Sequence, residues 1–118
     1  MKLVLSAVPI IISATAPAHA TAGMFCATGD PASVEISLVI ARVVGGPLIS
    51  AGLIDNGVAV PTERAQWWLD GKELRLVLID PNAEREEVMV RARNRGDVYK
   101  GKLTRNGRTR RVTCEESG

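Results

Sequence analysis

The sequence predicts an all-β fold, a small antiparallel β-barrel or sandwich of about 6–8 short strands closed by one disulfide. Three observations carry that expectation. Apolar residues alternate with polar ones through most of the chain after Ser33. Turn signals rich in Gly, Asn, Asp and Pro separate those runs at strand-like intervals. The two cysteines, Cys26 and Cys114, stand near opposite ends of what remains once a leader is removed.

The leader comes first. Lys2 precedes the apolar run Leu3 to Ala14, and Ala18-His19-Ala20 supplies the small residues of a signal-peptidase site, the three regions of a secretory signal. A spanning helix needs about 20 apolar residues, whereas Pro9 interrupts this run and Pro17 and His19 follow it. Cleavage is therefore expected after Ala20, with residues 21–118 forming a single small β domain and no membrane span left. Phe25, directly before Cys26, does not fit the small-residue box of a lipidated cysteine, so a periplasmic or secreted product is expected.

Removing residues 1–20 from the 118 leaves 98, and takes Lys2 from the 15 basic side chains, so that 14 face 13 acidic ones. It also removes His19, the single histidine. Without an imidazole the chain has no Ser-His-Asp or Cys-His nucleophile pair and no histidine metal ligand. One domain of this size builds a single core with little margin, and a Cys26–Cys114 bridge joining its ends would contribute about 4 to 5 kcal/mol in the chain-entropy picture. A redox or metal role would want a CxxC pair or further ligands.

Taken in order, Ser33 to Ala41 places Val34, Ile36, Leu38 and Ile40 on one face and Glu35 and Ser37 on the other, a period of two that means a strand. Gly45-Gly46-Pro47 ends it, and Leu48 to Ile54 forms the next. Asp55-Asn56-Gly57 then turns into the short Val58-Ala59-Val60, which Pro61 stops. A two-residue turn at Asp70-Gly71 sets Trp67 against Leu74, Ala65 against Leu76 and Glu63 against Leu78, with Trp68 beside Glu73 and Gln66 beside Arg75 on the outer face. The same geometry at Asn106-Gly107 sets Leu103 against Arg110, Gly101 against Val112 and Tyr99 against Cys114, and turns Lys100, Lys102 and Arg111 outward. Between these hairpins, Asp80-Pro81-Asn82-Ala83-Glu84 suits a helix N-terminus. The alternation of Val88, Val90 and Ala92 with Met89, Arg91 and Arg93 favours a strand from about Glu87 to Asn94 instead.

The charge is unevenly placed. From Arg91 to Arg111 there are seven arginines and two lysines against the single Asp97. Such a field steers association with polyanions, and in an exported protein the partners it suggests are an envelope polyanion or a secreted protein rather than nucleic acid. The competing explanation is that these cations are solvated outer faces that discourage edge pairing. Trp67 and Trp68 are neighbours, so a strand sends one ring inward and the other out. Trp68, with Lys100, Lys102 and Arg111, is the expected contact surface.

Arg95-Gly96-Asp97 spells an adhesion tripeptide but sits where a tight turn is needed. Glu84, Glu86 and Glu87 lack the alternating pattern and glycine of a calcium loop. No nucleophile elbow, phosphate-binding glycine loop or Ser-x-x-Lys is present, so no catalytic residue, cofactor or metal is assigned and no enzyme is expected. Trp68-Leu69-Asp70-Gly71-Lys72 resembles the Trp-x-x-Gly strand turn of the periplasmic MliC-type inhibitors of C-type lysozyme, small exported barrels with a cysteine near each end. That resemblance implies a similar architecture. The family's inhibitory Ser-Gly-x-x-Tyr segment has no counterpart, so no functional residue carries over.

The expectation is thus an exported, non-catalytic binding module of the bacterial envelope. An inhibitor of lysozyme or another cell-wall hydrolase is the alternative, and a small envelope enzyme using carboxylates a remoter one. Oligomeric state is open.

Overall fold

The structure is a computed structural model that describes residues 21–29, 33–43 and 45–116. The expected leader, residues 1–20, and its cleavage site lie outside the described residues. Within them the chain forms nine strands and no helix: β1 (Thr21–Ala27), β2 (Val34–Ala41), β3 (Leu48–Asp55), β4 (Val58–Val60), β5 (Glu63–Leu69), β6 (Glu73–Ile79), β7 (Glu86–Asn94), β8 (Val98–Arg105) and β9 (Arg108–Glu116). They pair antiparallel in one sheet, in the order β4-β3-β2-β1-β9-β8-β7-β6-β5. The fold is all-β as expected, with two corrections. There are more strands than expected, and one sheet curled into a half-barrel stands in place of a sandwich.

The additional strand is β1. It pairs with β2 over its whole length and with β9 from Met24 to Ala27. Ala22, Met24 and Cys26 face the core, whereas Phe25 is an exposed aromatic. In β2, Val34, Ile36, Leu38 and Ile40 are buried, as the alternation requires. Across the sheet they meet Leu53 from β3, Leu74, Leu76 and Leu78 from β6, Val88 and Val90 from β7, Leu103 from β8 and Val112 from β9 in one continuous core. Cys26 and Cys114 are direct partners across the β1–β9 ladder, fully buried, and joined as a disulfide.

The curl is visible in side-chain bonds between strands far apart in the order. Arg105, at the end of β8, donates from Nε to Asp55 Oδ2 at 2.6 Å, although β2, β1 and β9 lie between β8 and β3. Its Nη1 also donates to the Glu87 carboxylate at 3.1 Å and to the Glu87 carbonyl at 3.0 Å. This ion cluster crosses the concave side at one end and satisfies charges that burial would otherwise penalise. At the opposite margin β5 returns toward β3: the Arg64 guanidinium donates to the Leu48 carbonyl, and the Trp67 indole N–H donates to the Gly46 carbonyl at 2.7 Å.

The hairpin at Asn106-Gly107 has the expected register, with Leu103 opposite Arg110, Gly101 opposite Val112 and Tyr99 opposite Cys114. The hairpin at Asp70-Gly71 does not. Leu69 faces Leu74, Trp67 faces Leu76 and Trp68 faces Arg75, a shift of two positions. The cause is the Asp70 side chain: Oδ1 accepts the amides of Lys72 at 2.9 Å and Glu73 at 2.8 Å, and the Asp70 amide donates to the Glu73 carbonyl, which moves the turn one residue on, to Gly71-Lys72. An even shift leaves every side chain on its expected face. An irregularity between Arg64 and Gln66 then alters the pairing, so that Arg64 faces Leu78 and Glu63 faces Ile79.

Asp80 settles the choice between helix and strand after β6. Its Oδ1 accepts the amides of Glu84 and Arg85 at 2.7 and 2.6 Å, and Oδ2 accepts that of Asn82 at 3.2 Å. The carboxylate caps a loop that doubles back, because the Asp80 amide also donates to the Arg85 carbonyl and Ala83 takes a left-handed φ of 57°. The chain therefore enters β7 at Glu86. The amides of Arg85, Glu84 and Asn82 hold the Asp80 carboxyl below its ordinary 3.8, against the opposing pull of its burial.

Gly101 marks the closest backbone approach. A Cβ there would stand 1.9 Å from the carbonyl oxygen of Arg91 and 2.5 Å from the Cα of Ala92, main-chain atoms that cannot swing aside. At Gly52 in β3 a Cβ would meet nothing within 4 Å. Gly101→Ala is expected to destabilise by about 2 to 3 kcal/mol and Gly52→Ala to be neutral or slightly stabilising, both read from urea unfolding. Equal midpoints for the two variants would contradict this packing. A carboxyl with a lowered native pKa contributes stability above its unfolded pKa and loses it as pH falls through the native one. Stability should therefore decline below about pH 4, and Asp80→Asn should be less stable at neutral pH with a shallower acid slope.

Candidate functional site

The four residues expected to form a contact surface lie on the outer face of one half of the sheet, and the observed register sets them among others. Trp68 is opposite Arg75, Arg75 opposite Arg91, Arg91 opposite Lys102, and Lys102 opposite Arg111. One row of directly paired residues thus crosses β5 to β9 and carries an indole followed by four cations. With strands about 4.8 Å apart, the row runs for roughly 19 Å from Trp68 to Arg111.

A second row begins beside it with Glu73, Arg93, Lys100 and Thr113, again direct partners from β6 to β9. On the other side the row is neutral: Gln66, Val77, Met89, Thr104 and Thr109 follow one another across the same strands. The cationic surface is therefore a strip two rows wide with a defined long direction.

Three of the cross-strand pairs in the main row set like charge against like, which is unfavourable. Among the described residues the ion pairs are Arg75–Glu73 at 3.0 Å, Arg85–Glu87 at 3.3 Å and the two made by Arg105. Arg91, Arg93, Lys100, Lys102 and Arg111 take part in none of them. Glu73 is the acid that pairs with the strip; the hydrogen bond from Arg75 holds its carboxyl below the ordinary range, with Arg91 and Arg93 adding smaller pulls. Arg75 is raised by the same bond, and its Nε is buried without a hydrogen-bond partner. Shallow depressions flank β8 over the flat backbone of Gly101, edged by Arg91, Arg93, Lys100, Lys102 and Arg111.

Trp68 is 52% exposed, whereas Trp67 is half-buried and packs against the core. Arg75, Arg91 and Arg93 were not among the residues singled out from the sequence. Their outward orientation was legible in the alternation of β6 and β7. Their alignment with Trp68 was not, because a two-residue turn at Asp70-Gly71 would place Trp68 beside Glu73.

The remaining candidates have local structural roles. Arg95-Gly96-Asp97 forms the turn between β7 and β8, where the Arg95 amide donates to the Val98 carbonyl at 2.7 Å and Gly96 has a φ of 99°. Glu84 and Glu86 are exposed, but Glu87 is buried and paired with Arg105 and Arg85. Among the described residues no group of three or more His, Cys, Asp or Glu is arranged to hold a metal ion. The depression between β3 and β5, lined by Leu48, Ser50, Ala51, Glu63 and Arg64 above Leu78, is bridged by the Arg64 bond to Leu48.

Acrylamide should quench one indole strongly and the other weakly, and Trp68→Phe should remove the accessible component. Quenching of both indoles to the same extent would contradict these exposures. The chain matches no family model, no curated protein and no solved structure.

Proposed function

We propose that this protein is an exported, non-catalytic binding module of the bacterial envelope that holds an anionic envelope component against the outer face of β6 to β9. The observation that carries this reading is the row Arg75, Arg91, Lys102 and Arg111, in which Arg75 alone has an ion-pair partner among the described residues. Cations that merely guard a sheet edge belong on edge strands. Here the edges are β4 and β5, and the row crosses strands in the interior of the sheet. Opposed like charges in the middle of a sheet are costly unless an anion neutralises them. The buried disulfide supports an oxidising compartment, and no helix among the described residues is long and apolar enough to cross a membrane.

The test is retention of the oxidised protein on a carboxylated polymer matrix as salt is raised. The unaltered protein should bind at low ionic strength and elute steeply with salt. Arg91→Glu with Lys102→Glu should abolish retention at about 0.1 M salt, while Lys72→Glu with Arg108→Glu, the same change in net charge outside the row, should leave it nearly intact. Equal loss in both pairs would reduce the effect to net charge and remove the site.

A further inference from the structure

We infer that the ligand of this strip is a linear acidic glycan, lying across the strands with a sugar ring stacked on Trp68 and its carboxylates on Arg75, Arg91, Lys102 and Arg111. This rests on the anion-binding reading above and adds the chemical class and direction of the ligand.

Four cations of the strip, Arg75, Arg91, Lys102 and Arg111, form a line. Each is the direct cross-strand partner of the next, so their spacing is that of the strands, about 4.8 Å, close to the length of one pyranose unit. A neutral row bounds the line on one side, and on the other Arg93 and Lys100 widen it, with Glu73 at the end of their row. A chain with one negative charge per sugar meets these cations one by one, and a guanidinium fork suits a carboxylate in two parallel hydrogen bonds. The row ends at Trp68, whose half-exposed indole offers a flat apolar surface to the C–H face of a sugar.

Two other polyanions fit less well. An anionic bilayer is engaged by several apolar side chains inserted beside the cations. Of the exposed large hydrophobic residues, Phe25, Val39, Val43, Ile49, Val58 and Trp68, only Trp68 lies on β5 to β9. A single-stranded nucleic acid is held by successive aromatic platforms, and this face has one exposed ring.

The test is titration of the oxidised protein with oligogalacturonates of increasing length, read by Trp68 fluorescence and by calorimetry. Parallel titrations use neutral oligosaccharides of the same lengths, anionic phospholipid vesicles and a single-stranded oligonucleotide. Affinity should rise with each uronate up to about four or five sugars, the number that spans the row at one sugar per strand, and then level off. Neutral oligomers should not bind. Trp68→Ala should weaken the longest oligomer about tenfold with the salt slope unchanged, whereas Arg91→Gln and Lys102→Gln should each lower the slope by about one. Circular dichroism and thermal unfolding of each variant establish that it is folded. Binding to vesicles or oligonucleotide without binding to uronates overturns the glycan assignment and leaves the anion-binding reading standing. Binding to none of the anions overturns both.

Discussion

The fold depends on one short junction. The chain forms two meanders, β1 to β4 and β5 to β9, and each is built from neighbours in sequence. They become one sheet where β1 meets β9, along only the stretch from Met24 to Ala27. Cys26 and Cys114 are partners inside that stretch, so the disulfide sits on the ladder whose loss would divide the sheet. The staple offsets the weakness of a domain with one small core and binds the joint on which the continuity of the sheet depends.

The second joint is polar. Because β4 and β5 are the two edges of the sheet yet adjacent in sequence, separated only by Pro61 and Thr62, the curl is constrained by the chain as well as by packing. Side chains complete it: Arg64 and Trp67 reach carbonyls of the β3 side, and Arg105 spans the concave interior to Asp55 while holding Glu87 of the neighbouring strand. With the inside filled by leucine and valine and its end closed by this ion cluster, the chemistry left for recognition is on the outside. The strip proposed for ligand binding is thus displayed on the half of the sheet formed by β5 to β9, whose hairpins are short and whose strands are long.

Much of this was legible in the residues. The alternation in β2 and β7 and the pair of cysteines pointed to the faces, the strands and the bridge that are found. Asn106-Gly107 specified its hairpin because both turn residues accept positive φ, 52° and 75°, and nothing nearby competes for the turn amides. Asp70-Gly71 failed on the same rule because Asp70 is itself an acceptor and captured the amides of Lys72 and Glu73. β1 escaped notice because Thr21-Ala22-Gly23-Met24-Phe25-Cys26-Ala27 is poor in β-branched residues and turns its one aromatic outward. The cationic row lay a step further off: it exists only once four registers are known together, and one of them was set by a side chain rather than by turn length.

The pairing of β1 with β9 also orders events in time. Every other ladder joins strands that follow one another along the chain and can form as hairpins, on a microsecond scale. β1 can complete its pairing only after the last strand has been made, at a sequence separation of 88 between the bridged cysteines. Closing so long a loop carries an entropic cost that local contacts cannot offset. The N-terminal meander would therefore wait with one edge of β1 bare, and oxidation of Cys26 and Cys114 to the disulfide would act as the final latch in assembly, converting the slowest contact to form into the hardest to lose.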